Sequence, residues 1–267
     1  MRKPECPKVL SIAGSDSGAG AGIQADLKTF AALGCYGMSV VTAVTAQNTI
    51  GITAIQQMPA DIVAAQLDAV LEDIGADAAK IGMVSSQENI EAIADRLDRF
   101  RVKNIVVDTV MQAKDGAVLL PRKAQGIFVR LIFPLALVAT PNIPEAEAIT
   151  GRKICSVEEM KEAARYVFDK GARSVLIKGG HLDSEKCTDV FYDGRDYAIF
   201  ESNRIPGKNT HGTGCTLSAA IAANLAKGMD LRESIGSAKE YVTGAIRFGL
   251  CLGNGNGPLD HFWQTKH

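Results

Sequence analysis

The chain has 267 residues, 46% of them hydrophobic and 22% charged, a composition that can fill a folded core and excludes a disordered chain. Lys and Arg number 29 against 30 Asp and Glu, so a formal net charge of -1 offers no global basic field for nucleic acid or an anionic membrane, while a local anion site stays open. The length lies near the upper end of what one core organises, so a single domain over 1–267 is expected.

The first apolar stretch, Val9 to Gly14, is broken by Ser15 and Asp16 and is too short for a signal-peptide core. Val9 to Ala13 reads instead as a buried strand, followed by a glycine loop from Gly14 to Gly22 and by Ile23, Leu27 and Phe30 at helical spacing. Met38 to Val44 is strand-like, and Pro59 opens a helix whose apolar face carries Ile62, Val63, Leu67, Val70, Leu71 and Ile74. The alternation continues with a strand over Ala79 to Met83, a helix carrying Ile90, Ile93 and Leu97, a strand from Ile105 to Asp108, and a helix through Ile127 and Leu131. Leu137 to Thr140 is the next strand, followed by a helix from Val157 to Lys170 and a strand from Ser174 to Lys178. Asp189 to Tyr192 and Tyr197 to Phe200 flank the turn Asp193-Gly194 as a hairpin, and from about Cys215 the chain is helical. Continuous apolar strands alternating with amphipathic helices predict an α/β fold: a mostly parallel central sheet covered on both faces, with a small antiparallel addition near Asp189 to Ile205.

Leu131 to Ala139, the longest late apolar stretch, is about half a membrane span and contains Pro134, so no membrane segment and a cytoplasmic protein are expected. The six cysteines are scattered without a C-x-x-C pair, which disfavours zinc; five read as small apolar fillers in a reducing compartment.

Two glycine loops carry the chemistry. Gly14-Ser-Asp-Ser-Gly-Ala-Gly-Ala-Gly22 joins a strand to a helix, where backbone amides and the helix dipole meet ligands. It is not a dinucleotide fingerprint, because Ile23 stands where the third glycine belongs, and the one Gly-Lys pair, Gly207-Lys208, is followed by Asn209 rather than by the Ser or Thr of a phosphate-binding loop. Asn209-Thr-His-Gly-Thr-Gly-Cys-Thr216 precedes a helix of small residues, so the amides of Gly212, Thr213, Gly214 and Cys215 form a candidate anion hole. The same dipole is expected to lower the pKa of Cys215 and to make a thiolate available as a base toward a substrate hydroxyl; a structural cysteine is the alternative. Asp108, Asn142, Glu145 and Lys178 lie at strand ends, where carboxylates can hold Mg²⁺ directly or through water and Lys178 can balance phosphate charge; capping of helices by Asn and Asp and a solvent-facing lysine are the alternatives. Gln47 can pair bidentately with an aminopyrimidine edge or merely hold a turn.

These motifs, with Val44-Thr-Ala-Gln-Asn-Thr49, Lys80-Ile-Gly-Met83, Val107-Asp-Thr-Val-Met111, Thr140-Pro-Asn-Ile-Pro-Glu145 and Lys178-Gly-Gly-His181, resemble the hydroxymethylpyrimidine/phosphomethylpyrimidine kinases of the ribokinase-like superfamily over nearly the whole chain. The resemblance implies a ribokinase-like fold, ATP and Mg²⁺ as cofactors, a homodimer, and two successive phosphorylations of 4-amino-5-hydroxymethyl-2-methylpyrimidine for thiamine diphosphate biosynthesis. It further implies that Asp26, Gln47, Met83 and Val110 line the pyrimidine pocket, and that Cys215 stands where related sugar kinases place an Asp base. Asn142, Lys178 and His211 fall on the nucleotide side, Asp108 and Glu145 on the metal side, and Gly212 to Cys215 in the anion hole. Ala19 replaces a glycine common in the family. Two rivals stand beside this reading. One is a pyridoxal or pyridoxine kinase, weakened by Ala113 where such relatives can carry a lid cysteine; the other is a non-catalytic pyrimidine-binding regulator, which has no need of a metal site or an anion hole.

Overall fold

The structure is a computed structural model describing residues 6–111, 116, 119–182 and 184–266. Ala113 lies outside these described residues. The first half runs β1 (Lys8–Asp16), α1 (Gly22–Ala32), β2 (Tyr36–Gln47), β3 (Ile52–Gln57), α2 (Ala60–Asp73), β4 (Ala78–Ile81), α3 (Gln87–Arg99) and β5 (Ile105–Val107). The second half runs α4 (Arg122–Ile132), β6 (Val138–Ala139), α5 (Ile143–Thr150), α6 (Val157–Phe168), β7 (Val175–Ile177), β8 (Lys186–Tyr192), β9 (Tyr197–Asn203), α7 (Thr213–Ala226), α8 (Leu231–Arg247) and α9 (Trp263–Lys266).

The strands form one sheet in the order β3-β2-β1-β4-β5-β6-β7-β8-β9. Pairs from β2 through β7 are parallel, and both edges are antiparallel. The hairpin β8-β9 lies where Asp193-Gly194 predicts it, whereas β3 is a strand that sequence patterning misses. All of β3 after Ile52 is exposed, so it carries no alternation of buried and open residues for a pattern to catch. The expected loop at Gly14 also begins later, because pairing of Ser15 with Val44 and of Asp16 with Thr45 carries β1 past a bulge. The helix α5, too short to show periodicity, starts with a reciprocal cap: Asn142 Oδ1 accepts from the Glu145 amide at 2.9 Å, and Glu145 Oε2 accepts from the Asn142 amide at 2.8 Å.

One core cluster fills the space between the sheet and the helices α2 to α6, with Ile12, Val40, Leu67, Ile90, Phe128 and Phe133 fully or almost fully buried. A second cluster lies on the opposite face beneath α1, α7 and α8. Every residue of α7 from Thr216 to Leu225 is buried, which explains a run of small and apolar residues without an amphipathic stripe. No helix among the described residues is long and apolar enough to cross a membrane.

The C-terminal segment returns to the start of α7. His261 is 3% exposed, its Nε2 stands 3.1 Å from Thr216 Oγ1, and Tyr241 Oη donates to its carbonyl at 2.6 Å. Burial, reinforced by the charge of Lys28 and opposed by Asp260, pushes the His261 imidazole down to about 4. Because the folded value lies below the unfolded one, the contribution is complete above the unfolded pKa and is lost as pH falls toward the folded value, with a span of roughly 3 kcal/mol. Glu145, pushed up to about 7 by burial, has the opposite slope over much of that range. The expected result therefore concerns a difference: His261→Gln, which keeps a hydrogen-bonding partner for Thr216, gains stability relative to the parent between pH 7 and pH 4.5. Parallel urea midpoints for both proteins across this range rule the titration out.

Candidate active site

The strand order reverses between β1 and β4, the place where an open α/β sheet leaves a crevice at its carboxyl edge. Asp16 ends β1 there, 2% exposed, and its carboxylate accepts from the amides of Gly18 at 2.8 Å, Gly20 at 3.0 Å and Ala21 at 2.8 Å. Burial alone would raise the Asp16 pKa, but the bond from His211 and the loop amides outweigh it and hold the carboxyl below its ordinary value. The first glycine loop is thus organised by its own aspartate. Its sequence signal is an Asp followed by small residues that leave their amides accessible, a feature the glycine count alone does not single out.

The two glycine loops, far apart in the chain, touch. Gly212 adopts φ 81 at the start of α7, and a Cβ there would lie 1.8 Å from the carbonyl oxygen of Gly20, so only glycine fits. His211 packs its ring against Gly20 and places Nε2 2.9 Å from Asp16 Oδ2 and 3.4 Å from Gln47 Nε2. The expected grouping of His211 with Asn142 and Lys178 is therefore corrected: the bond to Asp16 and the bare face of Gly20 draw its ring to the Gln47 side. Met83 and Val110 do come together, in a small apolar cluster with Ala43, Leu119 and Ile52. Gln47 ends β2 beside them rather than standing in a following loop.

Behind this cluster runs a row of charge. Asp108 Oδ1 accepts from Lys178 Nζ at 2.6 Å, and its Oδ2 accepts from Ser218 Oγ at 3.4 Å. Burial would raise the Asp108 pKa, yet Lys178 and Lys80 reverse this and hold it low. Deeper still, Lys80 Nζ lies 2.9 Å from Asp26 Oδ2, both side chains fully buried, and Ser11 Oγ donates to the same oxygen at 2.6 Å. Burial by itself would push Lys80 down, but the charge of Asp26, with Cys215 and Asp108 near, drives it above the ordinary lysine range. Asp26 is accordingly not an open wall of the pyrimidine pocket; its carboxylate is committed to Lys80 and Ser11. Lys80 joins this row without a role in the motifs; its signal in the sequence is a lysine inside the otherwise apolar strand Ala78–Ile81.

The start of α7 faces this row. A Cβ on Gly214 would stand 3.3 Å from Lys178 Nζ and 3.7 Å from Asp108 Oδ2, so the bare backbone leaves space beside both. At Cys215 the expectation of a lowered pKa is overturned. Some surface of the residue stays accessible. The protein packed around its thiol nevertheless pushes it up to about 11, with Asp108 and Asp26 adding to the rise and Lys80 and a Gly22 backbone bond opposing it. Desolvation of a thiolate outweighs the helix start.

Among the described residues no group of three or more His, Cys, Asp or Glu side chains is arranged to hold a metal by itself. Asp108 and Glu145 nonetheless fit Mg²⁺, which takes one or two carboxylates together with water and substrate phosphates. Burial pushes Glu145 up to about 7 and the neighbouring Asp108 charge adds to the rise, an opposition that a divalent cation would relieve. Lys178, driven upward by Asp108 and Glu145 against the pull of burial, keeps its positive charge beside them.

Comparison with known proteins bears on this geometry. The family model described as phosphomethylpyrimidine kinase matches residues 16–260. The chain is 54% identical over 256 residues to a hydroxymethylpyrimidine/phosphomethylpyrimidine kinase of Rhizobium meliloti, covering 95% of this chain and 96% of the relative. It is also 54% identical over 258 residues to a thiamine biosynthesis bifunctional protein of Geobacter sulfurreducens, covering 97% of this chain but only 53% of that longer protein. Among solved structures, an ADP complex of Bacillus subtilis pyridoxal kinase aligns with a TM-score of 0.91 at 38% identity, over 98% of this chain and 100% of that one. A phosphomethylpyrimidine kinase from Clostridium difficile aligns with a TM-score of 0.80 at 46% identity, over 90% of this chain and 99% of that one. The glycine loops, the strand-end charges and the cysteine at the start of α7 therefore stand in a ribokinase-like framework, and the chain belongs to the phosphomethylpyrimidine kinase family.

Proposed function

We propose that this chain transfers the γ-phosphate of ATP to the hydroxymethyl oxygen of 4-amino-5-hydroxymethyl-2-methylpyrimidine, and then phosphorylates the monophosphate to the diphosphate. One observation carries the reading: the stretch His211 to Gly214 lies against Gln47 at one end and against Lys178 and Asp108 at the other. A flat aminopyrimidine held by Gln47 between Met83 and Val110 thus sits beside an amide-lined start of a helix that suits phosphate. In the transfer, the bond from the γ-phosphorus to the β,γ-bridging oxygen breaks, a bond from phosphorus to the hydroxymethyl oxygen forms, and the hydroxyl proton passes to Cys215 Sγ. That step uses the thiolate, the minor form of a thiol pushed up to about 11, with Lys80 as its counter-charge. Asp108 and Glu145 would hold Mg²⁺, which supplies neutralisation of phosphate charge. Lys178 balances the phosphates, and Asn142 keeps Glu145 in place through their shared cap.

A second copy of the chain is proposed to cover the β2-β3 edge, where Val44 on β2 is 46% exposed, Ile50 in the connecting turn 68% and Ile55 on the edge strand β3 39%, a concentration of apolar surface beside a strand with one open side. The six free cysteines suit a reducing cytoplasm.

The test is ATP consumption with hydroxymethylpyrimidine, its monophosphate and pyridoxine. Turnover of the first two is expected, with pyridoxine a poor substrate. The fit to the pyridoxal kinase framework makes pyridoxine the serious rival, so turnover of pyridoxine alone transfers the assignment, and no turnover of any of the three leaves a binding protein. Gln47→Ala is expected to weaken pyrimidine binding by about 1–3 kcal/mol, the worth of a bidentate amide pair. Unchanged affinity in isothermal titration removes Gln47 from the pocket.

A further inference from the structure

The amide of Gln47 has two possible settings, because its oxygen and nitrogen are nearly equal in size and only their hydrogen-bond partners distinguish them. One terminal atom, placed as Oε1, lies 3.1 Å from Thr45 Oγ1; the other, placed as Nε2, lies 3.4 Å from His211 Nε2. Thr45 has a single hydroxyl proton, and its Oγ1 also stands 2.9 Å from the carbonyl oxygen of Ser15, which can only accept. The proton therefore serves Ser15, and the Thr45 oxygen is left to accept from a nitrogen of Gln47. On the other side, the Asp16 carboxylate accepts only, so His211 Nε2, 2.9 Å away, must carry a proton. A second donor facing that proton is unfavourable, whereas an amide oxygen there is not.

We infer that Asp16, by keeping a proton on His211 Nε2, sets the Gln47 amide with its oxygen toward His211 and its nitrogen toward Thr45, and so decides which way round an aminopyrimidine lies. The inference rests on the proposed substrate. The 4-amino group donates to the Gln47 oxygen and the adjacent ring nitrogen accepts from the Gln47 nitrogen. The hydroxymethyl group sits on the ring carbon beyond the amino-bearing carbon, so this order points it past His211, toward Gly212 to Cys215 at the start of α7. The opposite setting of the amide points it away from the phosphate side. Asp16 is thus a positioning residue acting through His211, and Thr45 holds the other end of the same amide.

The experiment has two parts. Nitrogen-15 spectra of the imidazoles, with His211 assigned by His211→Gln, are expected to show a proton on Nε2 in the parent and a shift toward the Nδ1-protonated tautomer in Asp16→Ala, which removes the oxygen that faces His211; an Asn would keep its oxygen there, because the amides of Gly20 and Ala21 donate to the same atom. Separately, kcat/KM is measured for 4-amino-5-hydroxymethyl-2-methylpyrimidine and for its 4-oxo analogue, whose ring N–H and carbonyl reverse the donor and acceptor order. The parent is expected to prefer the amino compound by on the order of 100-fold or more. Asp16→Ala and Thr45→Val are each expected to cut that preference about tenfold, through the pyrimidine KM rather than the KM for ATP. If Asp16→Ala does not fold, Thr45→Val, which keeps the side-chain shape, decides the matter. A parent His211 protonated on Nδ1 alone, or full preference retained by the folded variants, overturns the inference. Failure of the parent to phosphorylate either pyrimidine overturns the substrate reading beneath it, and the tautomer spectra then report on the Asp16–His211 link by itself.

Discussion

Replacing Cys215 by alanine is expected to reduce phosphoryl transfer to the hydroxymethyl oxygen by about 10²–10⁴-fold, the usual worth of a positioned base, while leaving pyrimidine binding measurable by titration calorimetry. The pH profile separates a base from a packing residue. A thiol pushed up to about 11 is almost wholly protonated at pH 7, so the reactive thiolate fraction grows as pH rises. In the parent, kcat is accordingly expected to climb through pH 7 to 9 without reaching a plateau. In Cys215→Asp the profile should flatten, because a carboxylate is already ionised across that range. Parent-like turnover in Cys215→Ala, or a parent profile that is flat over the same interval, removes Cys215 from the proton path. The direction of the shift is what makes this test sharp: a thiolate stabilised by the helix start alone predicts a plateau at neutral pH.

Asp26→Asn is expected to cost about 3–5 kcal/mol of stability, because it leaves Lys80 as an uncompensated charge in a site with no solvent contact. Lys80→Met should cost a similar amount by stranding Asp26. The double variant, Asp26→Asn with Lys80→Met, is expected to recover most of the loss, since two neutral side chains of similar volume need no partner in a buried place. Urea unfolding of the four proteins closes this cycle; strictly additive losses in the double variant contradict the pairing. Activity should part company with stability here. Lys80 opposes the rise at Cys215 more than Asp26 adds to it, so the folded double variant, which loses both charges, is expected to remain a poor kinase with its pH profile displaced to higher pH. Recovery of both stability and turnover reduces Lys80 to a structural residue.

Much of the fold is legible in patterning because parallel strands are buried on both faces. Val9 to Ala13, Ile105 to Val107 and Val175 to Ile177 are apolar runs for that reason, and they stand as strands. Where an element is held by backbone pairing alone, the pattern fails. Ile52 to Gln57 makes its edge strand with exposed side chains, and Gly14 to Asp16 continue β1 because β2 offers carbonyls and amides alongside. The capping box at Asn142 and Glu145 is a local motif written in consecutive residues, and the structure forms it, at the cost of committing one oxygen of each side chain.

What the chain's own order of residues determined was an alternating α/β sheet, two glycine loops at its carboxyl edge, and a set of strand-end side chains suited to phosphate chemistry. Each follows from interactions within a few residues: periodic burial, glycine's freedom at a turn, and the free amides of a helix start. Only the tertiary structure decided the company those residues keep. It drew His211 to Asp16 and Gln47 rather than to Asn142 and Lys178, buried Lys80 against Asp26, and raised the Cys215 thiol where the helix start alone would lower it. Charge and desolvation act through space in a medium of low polarity, so the protonation of each group depends on neighbours brought from distant parts of the chain, which spacing along the sequence does not encode.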